Sequence, residues 1–219
     1  MSNTVRKKLV MELEHFVSRF ACMYQTLDAV DYLQAHGIQG DLVECGVFRG
    51  GHMLLAKAYA KALNLPRRHY WLFDTFEGMS APTAFDKKYS GRKATELAVK
   101  KAGNWCRASL ELVQSNFEKH GVLDDDVTFV KGKVEDTLLD TAALPEQIAL
   151  LRLDTDFYES TKAELEALYP RLVPGGMLVV DDYGWWDGAR RAVDDYFGGA
   201  PILSMVEGDM SARTMVKPA

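Results

Sequence analysis

Apolar residues recur at helical spacing at the start of the chain. Val5, Leu9, Leu13, Phe16, Val17 and Phe20 predict an amphipathic helix over 4–20. A second helix is predicted over 26–36, with Thr26 as N-cap and Gly37 as C-cap. The pattern then changes. Short apolar runs at 41–45, 70–74, 127–131, 148–154 and 176–182 read as strands, separated by helical stretches near 51–64, 109–120, 134–140, 159–171 and 187–197. The run from Ile148 to Leu153 has almost no polar alternation, as a central strand covered on both faces requires. Near the end, 201–206 and 213–217 flank Glu207-Gly208-Asp209 as a closing hairpin.

Strand–helix alternation implies crossover connections, hence an α/β fold with a mostly parallel sheet and helices on both faces. No repeat or interdomain linker interrupts it, so a single domain is expected over 1–219, with N-terminal helices over 1–37 and an α/β core over 38–219. The least regular stretch, 78–105, is expected to be a lid, because loops that long inside a compact domain are usually functional or disordered.

Composition narrows the function. The formal net charge of −5 gives no basic footprint for nucleic acid or an anionic membrane. Cys22, Cys45 and Cys106 are too few and too scattered for a disulfide framework. The first residues are polar, without the apolar core of a signal peptide, and no run approaches the roughly 20 apolar residues of a membrane span. A cytoplasmic location is expected. The apolar stripe of the first helix is expected to pack against a second subunit, making a homo-oligomer.

Ligands of open α/β sheets bind beyond the carboxyl ends of the strands, and four of the five predicted strands end in or beside an acidic residue. Glu44 precedes a turn containing Gly46, Gly50 and Gly51, which lets backbone N–H groups approach a ligand. The spacing does not meet G-x-G-x-x-G, which argues against a nicotinamide oxidoreductase. Asp74 ends the second strand, where it can accept from ribose hydroxyls of a nucleoside-type cofactor. Asp154 and Asp156 follow the fourth strand, and Asp181 and Asp182 end the fifth. If those strands are neighbours, their carboxylates converge and would repel. A hard divalent cation removes the conflict, and all-oxygen ligation favours Mg²⁺, Mn²⁺ or Ca²⁺ over zinc. His52 either lines the cofactor pocket or is an ordinary first-turn residue. Trp185 and Trp186 are either a substrate platform or packing.

The stretches 41–51, 72–79, 151–158 and 174–183 together resemble the macrocin O-methyltransferase family, whose enzymes methylate deoxysugars of antibiotics; the resemblance runs from about 18 to 197. It implies a class I methyltransferase fold with an antiparallel last strand, binding S-adenosylmethionine. It further implies that Glu44, Gly46 and the turn through Gly50 and Gly51 hold the methionine end and Asp74 the ribose. Glu135 and Asp136 fall at the adenine, and Ser109 matches a polar cofactor contact. Asp154, Asp181 and Asp182 match the family's ligands for Mg²⁺ or Mn²⁺, and Asp156 its general base. The acceptor is then a hydroxylated small molecule, sugar-like or another diol, with a catechol as the rival. A non-catalytic cofactor-binding protein remains the alternative of another class.

Overall fold

The computed structural model describes residues 2–13, 19–101, 105–199, 201 and 203–219. Two helices lead, α1 (Ser2–Leu13) and α2 (Phe20–Ala35). Then follow β1 (Asp41–Cys45), α3 (Gly51–Ala62), β2 (Tyr70–Asp74), α4 (Ala94–Lys101), α5 (Leu110–Lys119) and β3 (Val127–Lys131). The second half contains α6 (Val134–Thr137), β4 (Ile148–Leu153), α7 (Tyr158–Leu168), β5 (Leu172–Val180), α8 (Asp187–Phe197), β6 (Ser204–Met205) and β7 (Arg213–Val216).

The strands form one sheet in the order β3-β2-β1-β4-β5-β7-β6. β1 pairs in parallel with both β2 and β4, β5 continues the parallel set, and β7 and β6 close it antiparallel. The expected hairpin is therefore present, and the chain changes winding direction at the β1/β4 crevice. That crevice is where such sheets bind ligands.

Alternation along β1 and β4 sends side chains to two separate cores. On one face Leu42 and Leu150 pack with Val10 and Leu13 of α1, Leu27 of α2 and Leu54 of α3. On the other, Val43, Cys45, Leu151 and Leu153 pack with Leu165 of α7 and Val193 of α8. The apolar stripe of α1 is thus used within the chain, where Val5 and Leu9 also join the first core. No helix among the described residues is long and apolar enough to cross a membrane.

Some boundaries differ from expectation. The first helix ends at Leu13, and the part of its predicted span over 14–18 lies outside the described residues. α2 begins at Phe20 rather than after Thr26, which is buried mid-helix with its hydroxyl donating to the Cys22 carbonyl at 3.0 Å. The 78–105 stretch is more built than a loop. It contains α4 and antiparallel bridges from Lys87 to Lys93 and from Lys88 to Trp186. Asp86, 2% exposed, anchors it: its carboxylate accepts from the Thr83 N–H and hydroxyl and from the Tyr158 N–H at 2.9 Å, at the start of α7.

Candidate active site

A cleft of about 470 Å³ opens over the carboxyl ends of β1, β2, β4 and β5. Its floor begins at Gly46, whose φ of +80° is left-handed, a conformation glycine adopts freely. A Cβ there would lie 2.0 Å from the Asp154 carbonyl oxygen, so β1 and β4 leave the sheet in backbone contact. Asp74 braces the same turn. One carboxylate oxygen accepts from the Val47 N–H at 2.6 Å and the Phe48 N–H at 3.1 Å, the other from the Phe76 N–H at 2.7 Å. Burial raises the Asp74 carboxyl above its usual range, and these donors work against that shift.

Beneath the cleft, Glu44 of β1 lies in register with Arg152 of β4. Both are buried, at 1% and 2% exposure. The Arg152 Nε donates to Glu44 Oε1 at 3.1 Å, and its Nη2 donates to Asp154 at 2.8 Å and to Asp181. Glu44 Oε2 is buried without a hydrogen-bond partner. Burial pushes the Glu44 carboxyl up to about 8 against the pull of Arg152. Burial would also raise Asp181, but the guanidiniums of Arg152 and Arg19 outweigh it and hold that carboxyl down at about 2. Arg19, just before α2, also forms an ion pair with Asp209 at 2.9 Å, across the mouth of the β6–β7 hairpin.

Asp181 and Asp182 open the turn that follows β5, and their carboxylates go to different partners. Asp182 meets Asp154 and Asp156: one carboxylate oxygen from each lies within 4.8 Å of the others. Asp156 reaches the cluster from a left-handed residue with φ +69°, not from continued strand geometry. Burial and the neighbouring carboxylates push Asp156 up to about 7, although a hydrogen bond with Asp182 opposes the shift. Burial and the charges of Asp156 and Asp181 raise Asp182 well above the carboxylate range. Burial first, then Asp181, does the same to Asp154. Asp182 Oδ2 is buried without a hydrogen-bond partner. An all-oxygen set with an unused buried lone pair suits a hard divalent cation.

The structure therefore brings Asp154, Asp156 and Asp182 together and turns Asp181, expected beside them as a ligand, toward two arginines. Glu44, Gly46, Gly51, Asp74 and Glu135 line the cleft as expected positions for a cofactor. Gly50, Ser109 and Asp136 do not line it. Gly50 backs onto α5, where a Cβ would meet Phe117 at 2.8 Å. The Ser109 hydroxyl caps α5 by accepting from the Leu112 N–H at 3.3 Å. Asp136, one residue around the turn of α6 from Glu135, is exposed.

His52 lines the cleft, with its Nδ1 2.8 Å from the Thr26 hydroxyl. Burial and the nearby arginines hold the imidazole well below its usual pKa, so it is neutral. Trp186 packs with Phe157 and Ala189, whereas Trp185 stays on the rim, 39% exposed. Lys88 Nζ lies 4.7 Å from the Trp185 ring centroid. Arg19 and Arg152 were not anticipated from the sequence. The signal for Arg152 was present as one charge inside an apolar strand, but its partner depends on register.

The family model described as macrocin-O-methyltransferase (TylF) matches residues 18–206. The 8-demethyl-8-(2,3-dimethoxy-alpha-L-rhamnosyl)-tetracenomycin-C 4′-O-methyltransferase of Streptomyces olivaceus is 42% identical over 182 residues, covering 82% of this chain and 67% of that protein. The demethyldecarbamoylnovobiocin O-methyltransferase of Streptomyces niveus is 36% identical over 167 residues, covering 76% of this chain and 62% of that one. The chain thus spans under two thirds to about two thirds of the length of these relatives. The solved structure of the O-methyltransferase NovP superposes with a TM-score of 0.79 at 30% identity, covering 91% of this chain and 81% of that one. A Bacillus cereus O-methyltransferase solved with SAH shares the fold, at a TM-score of 0.55 and 14% identity. A family match across most of the chain, a relative at 42% identity and a carboxylate cluster at the crevice of a shared fold converge on one statement: the chain belongs to the macrocin-O-methyltransferase family.

Proposed function

We propose that the chain transfers the methyl group of S-adenosylmethionine to a hydroxyl of a sugar-like small molecule, with a divalent cation held at the carboxylate cluster. The observation that carries this reading is the position of Asp154, Asp156 and Asp182 in the same cleft as Glu44 and the Gly46 turn. The relatives' names, which specify O-methylation of glycosylated antibiotics, support the acceptor class.

When bound, S-adenosylmethionine supplies an electrophilic methyl group and Mg²⁺ or Mn²⁺ makes an alkoxide less costly. The chain supplies the rest. Glu44, Gly46 and Gly51 hold the amino-acid end, while Asp74 keeps the turn in shape beside the ribose and Glu135 lies toward the adenine. Asp154 and Asp182 would hold the ion through their carboxylates. Asp181 is the remaining expected ligand, and Arg19 and Arg152 both hold its carboxylate. Asp156 accepts the proton of the acceptor hydroxyl, a role worth about 10²–10⁴ in rate. Trp105, Trp185 and Met79 form an apolar wall that keeps water from the reacting atoms.

Two wider expectations belong to the same reading. The unpaired cysteines suit a reducing cytoplasm. Met11, Phe20 and Tyr24 are exposed on the first two helices and favour a second copy there, which sedimentation at micromolar concentration tests. The central experiment combines calorimetry with SAH and Mg²⁺ and a mass-spectrometric search for a +CH₂ product across a panel of glycosides and catechols. A product on glycosides supports the reading. Binding of neither ligand would overturn it, and methylation confined to catechols would replace the sugar with a phenol.

A further inference from the structure

The cleft is lined by more carboxylates than cations, and its cations are Arg19, Lys88 and Lys133. Arg19 is taken by Asp181 and Asp209. Lys133 is the N-cap of α6, next but one to Glu135, on the side read above as the adenine end. Lys88 is different. Among the described residues it pairs with aromatic rings and with no carboxylate, its Nζ lying 4.7 Å from the Trp185 ring centroid and 5.6 Å from that of Trp186. The cations around it are matched. Lys87 reaches Asp187 at 3.9 Å, Arg190 reaches the same carboxylate at 3.2 Å, and Arg191 reaches Asp195 at 3.5 Å.

Backbone hydrogen bonds hold Lys88 where it is. The Asp187 N–H donates to the Lys87 carbonyl at 2.9 Å, and the Tyr89 N–H donates to the Trp185 carbonyl at 3.0 Å. Together they make the antiparallel bridge between Lys88 and Trp186. The Trp186 ring in turn meets that of Phe157 at a centroid distance of 5.7 Å, and Phe157 directly follows Asp156. The ammonium therefore stands on the acceptor side of the cleft, two aromatic rings away from the residue read as the base. A lysine seated on a ring keeps its charge and three donors while its stem is already packed, so it loses little freedom on meeting an anion. The chain does not provide that anion at the cleft, and the acceptor can.

We propose that Lys88 is a specificity-determining residue that binds an anionic oxygen group of the acceptor, carried beyond the ring that is methylated, and that Trp185 holds the ammonium in place. The inference rests on methyl transfer to a sugar-like hydroxyl in this cleft, and it narrows the acceptor to a charged one. Such a group has two sources: the diphosphate of a nucleotide-linked sugar, or an acidic substituent on the aglycone of a finished glycoside. The first puts methylation before glycosyl transfer, and the second puts it after.

Calorimetry on the intact chain, loaded with SAH and Mg²⁺, compares two pairs of probes. 4-Carboxyphenyl rhamnoside and 4-carbamoylphenyl rhamnoside differ by one charge at nearly constant shape. Thymidine-diphosphate rhamnose and methyl rhamnoside differ by the nucleoside diphosphate. The native chain should prefer the charged member of at least one pair by about threefold to tenfold, the span from an exposed ion pair to a hydrogen bond with a charged group. Lys88→Gln should lose that preference while affinity for the neutral member holds, and Lys88→Arg should keep it. Preference within the first pair identifies an acidic aglycone, and within the second a nucleotide-linked sugar. A general loss of structure would lower affinity for the neutral members as well. Added salt should erode the preference of the native chain, so the charge is read even without a variant. Equal affinity within both pairs, a preference that survives Lys88→Gln, or a native chain that binds SAH and Mg²⁺ but none of the four probes overturns the inference. Failure of the native chain to bind SAH at all would instead remove the methyl-transfer reading beneath it.

Discussion

Gly46 and Asp154 meet backbone to backbone, so closely that a Cβ on Gly46 would lie 2.0 Å from the Asp154 carbonyl oxygen. This contact fixes the turn after β1 against the strand end that carries Asp154. Gly46→Ala combines a left-handed φ with a clash against backbone that cannot rotate away. It should cost roughly 2–4 kcal/mol in urea unfolding and lower SAH affinity as well. An alanine variant of native stability would show that the two strand ends are not held by this contact.

Asp74 spends its carboxylate on three N–H groups of the turns around it. Asp74→Ala should therefore lower both the melting temperature and SAH affinity, the latter by about 1.5–3 kcal/mol. A fall in affinity with stability unchanged would instead mean that the carboxylate acts on the ribose alone.

The carboxylate cluster separates by function. Asp182→Asn should weaken Mg²⁺ binding and recover activity at high Mg²⁺, with SAH affinity near native. Asp156→Asn should keep Mg²⁺ affinity but lose about 10²–10⁴ in kcat that added metal does not restore. Metal rescue of Asp156→Asn would make Asp156 a ligand and send the search for the base elsewhere.

Asp86 ties the 78–105 segment to the first turn of α7. Asp86→Ala leaves the Tyr158 and Thr83 N–H groups without that acceptor and should cost about 1–3 kcal/mol. Hydrogen exchange should rise over 82–94 first, and KM for the acceptor should rise more than affinity for SAH falls. Exchange rising evenly over the whole chain would deny the segment an anchor of its own.

Glu164 on α7 is wholly buried, and burial raises its carboxyl well above the usual range. Between its unfolded value of about 4.3 and its folded value, the native state keeps a proton that the unfolded state has released. Stability therefore falls as pH rises through that window, by up to about 1.4 kcal/mol per pH unit. Glu164→Gln removes the slope, so its stability relative to the native chain should improve from pH 5 to pH 8. Urea midpoints measured at both pH values check the sign, and a constant difference would contradict it.

Where local chemistry determines structure, the sequence shows it. The predicted 187–197 helix is α8 to the residue, because its apolar stripe and Gly198 mark it locally. The neighbouring ends of β4 and β5 put Asp154 and Asp182 where the apolar runs placed them. What stayed hidden depends on contacts distant in sequence. Arg152 is one charge in an apolar run until register sets it beside Glu44. Asp181 and Asp182 look equivalent until Arg19, 162 residues away, claims one of them. α2 starts at Phe20 with no side-chain cap hydrogen bond at Arg19, so no local polar signal marks its boundary. In the same way Thr26 resembles a cap until His52 supplies the reason for its hydroxyl.

Arg19 pairs with Asp181, directly after β5, and with Asp209, between β6 and β7. Of the three residues Arg19 is made first and Asp209 last. A nascent chain that has passed Asp182 already has all the carboxylates of the cluster, yet it lacks Asp209 and the β7 edge that flanks β5. The site is therefore completed only after residue 209 has been made, and a chain cut short before it would present its acidic cleft without the Asp209 partner of Arg19.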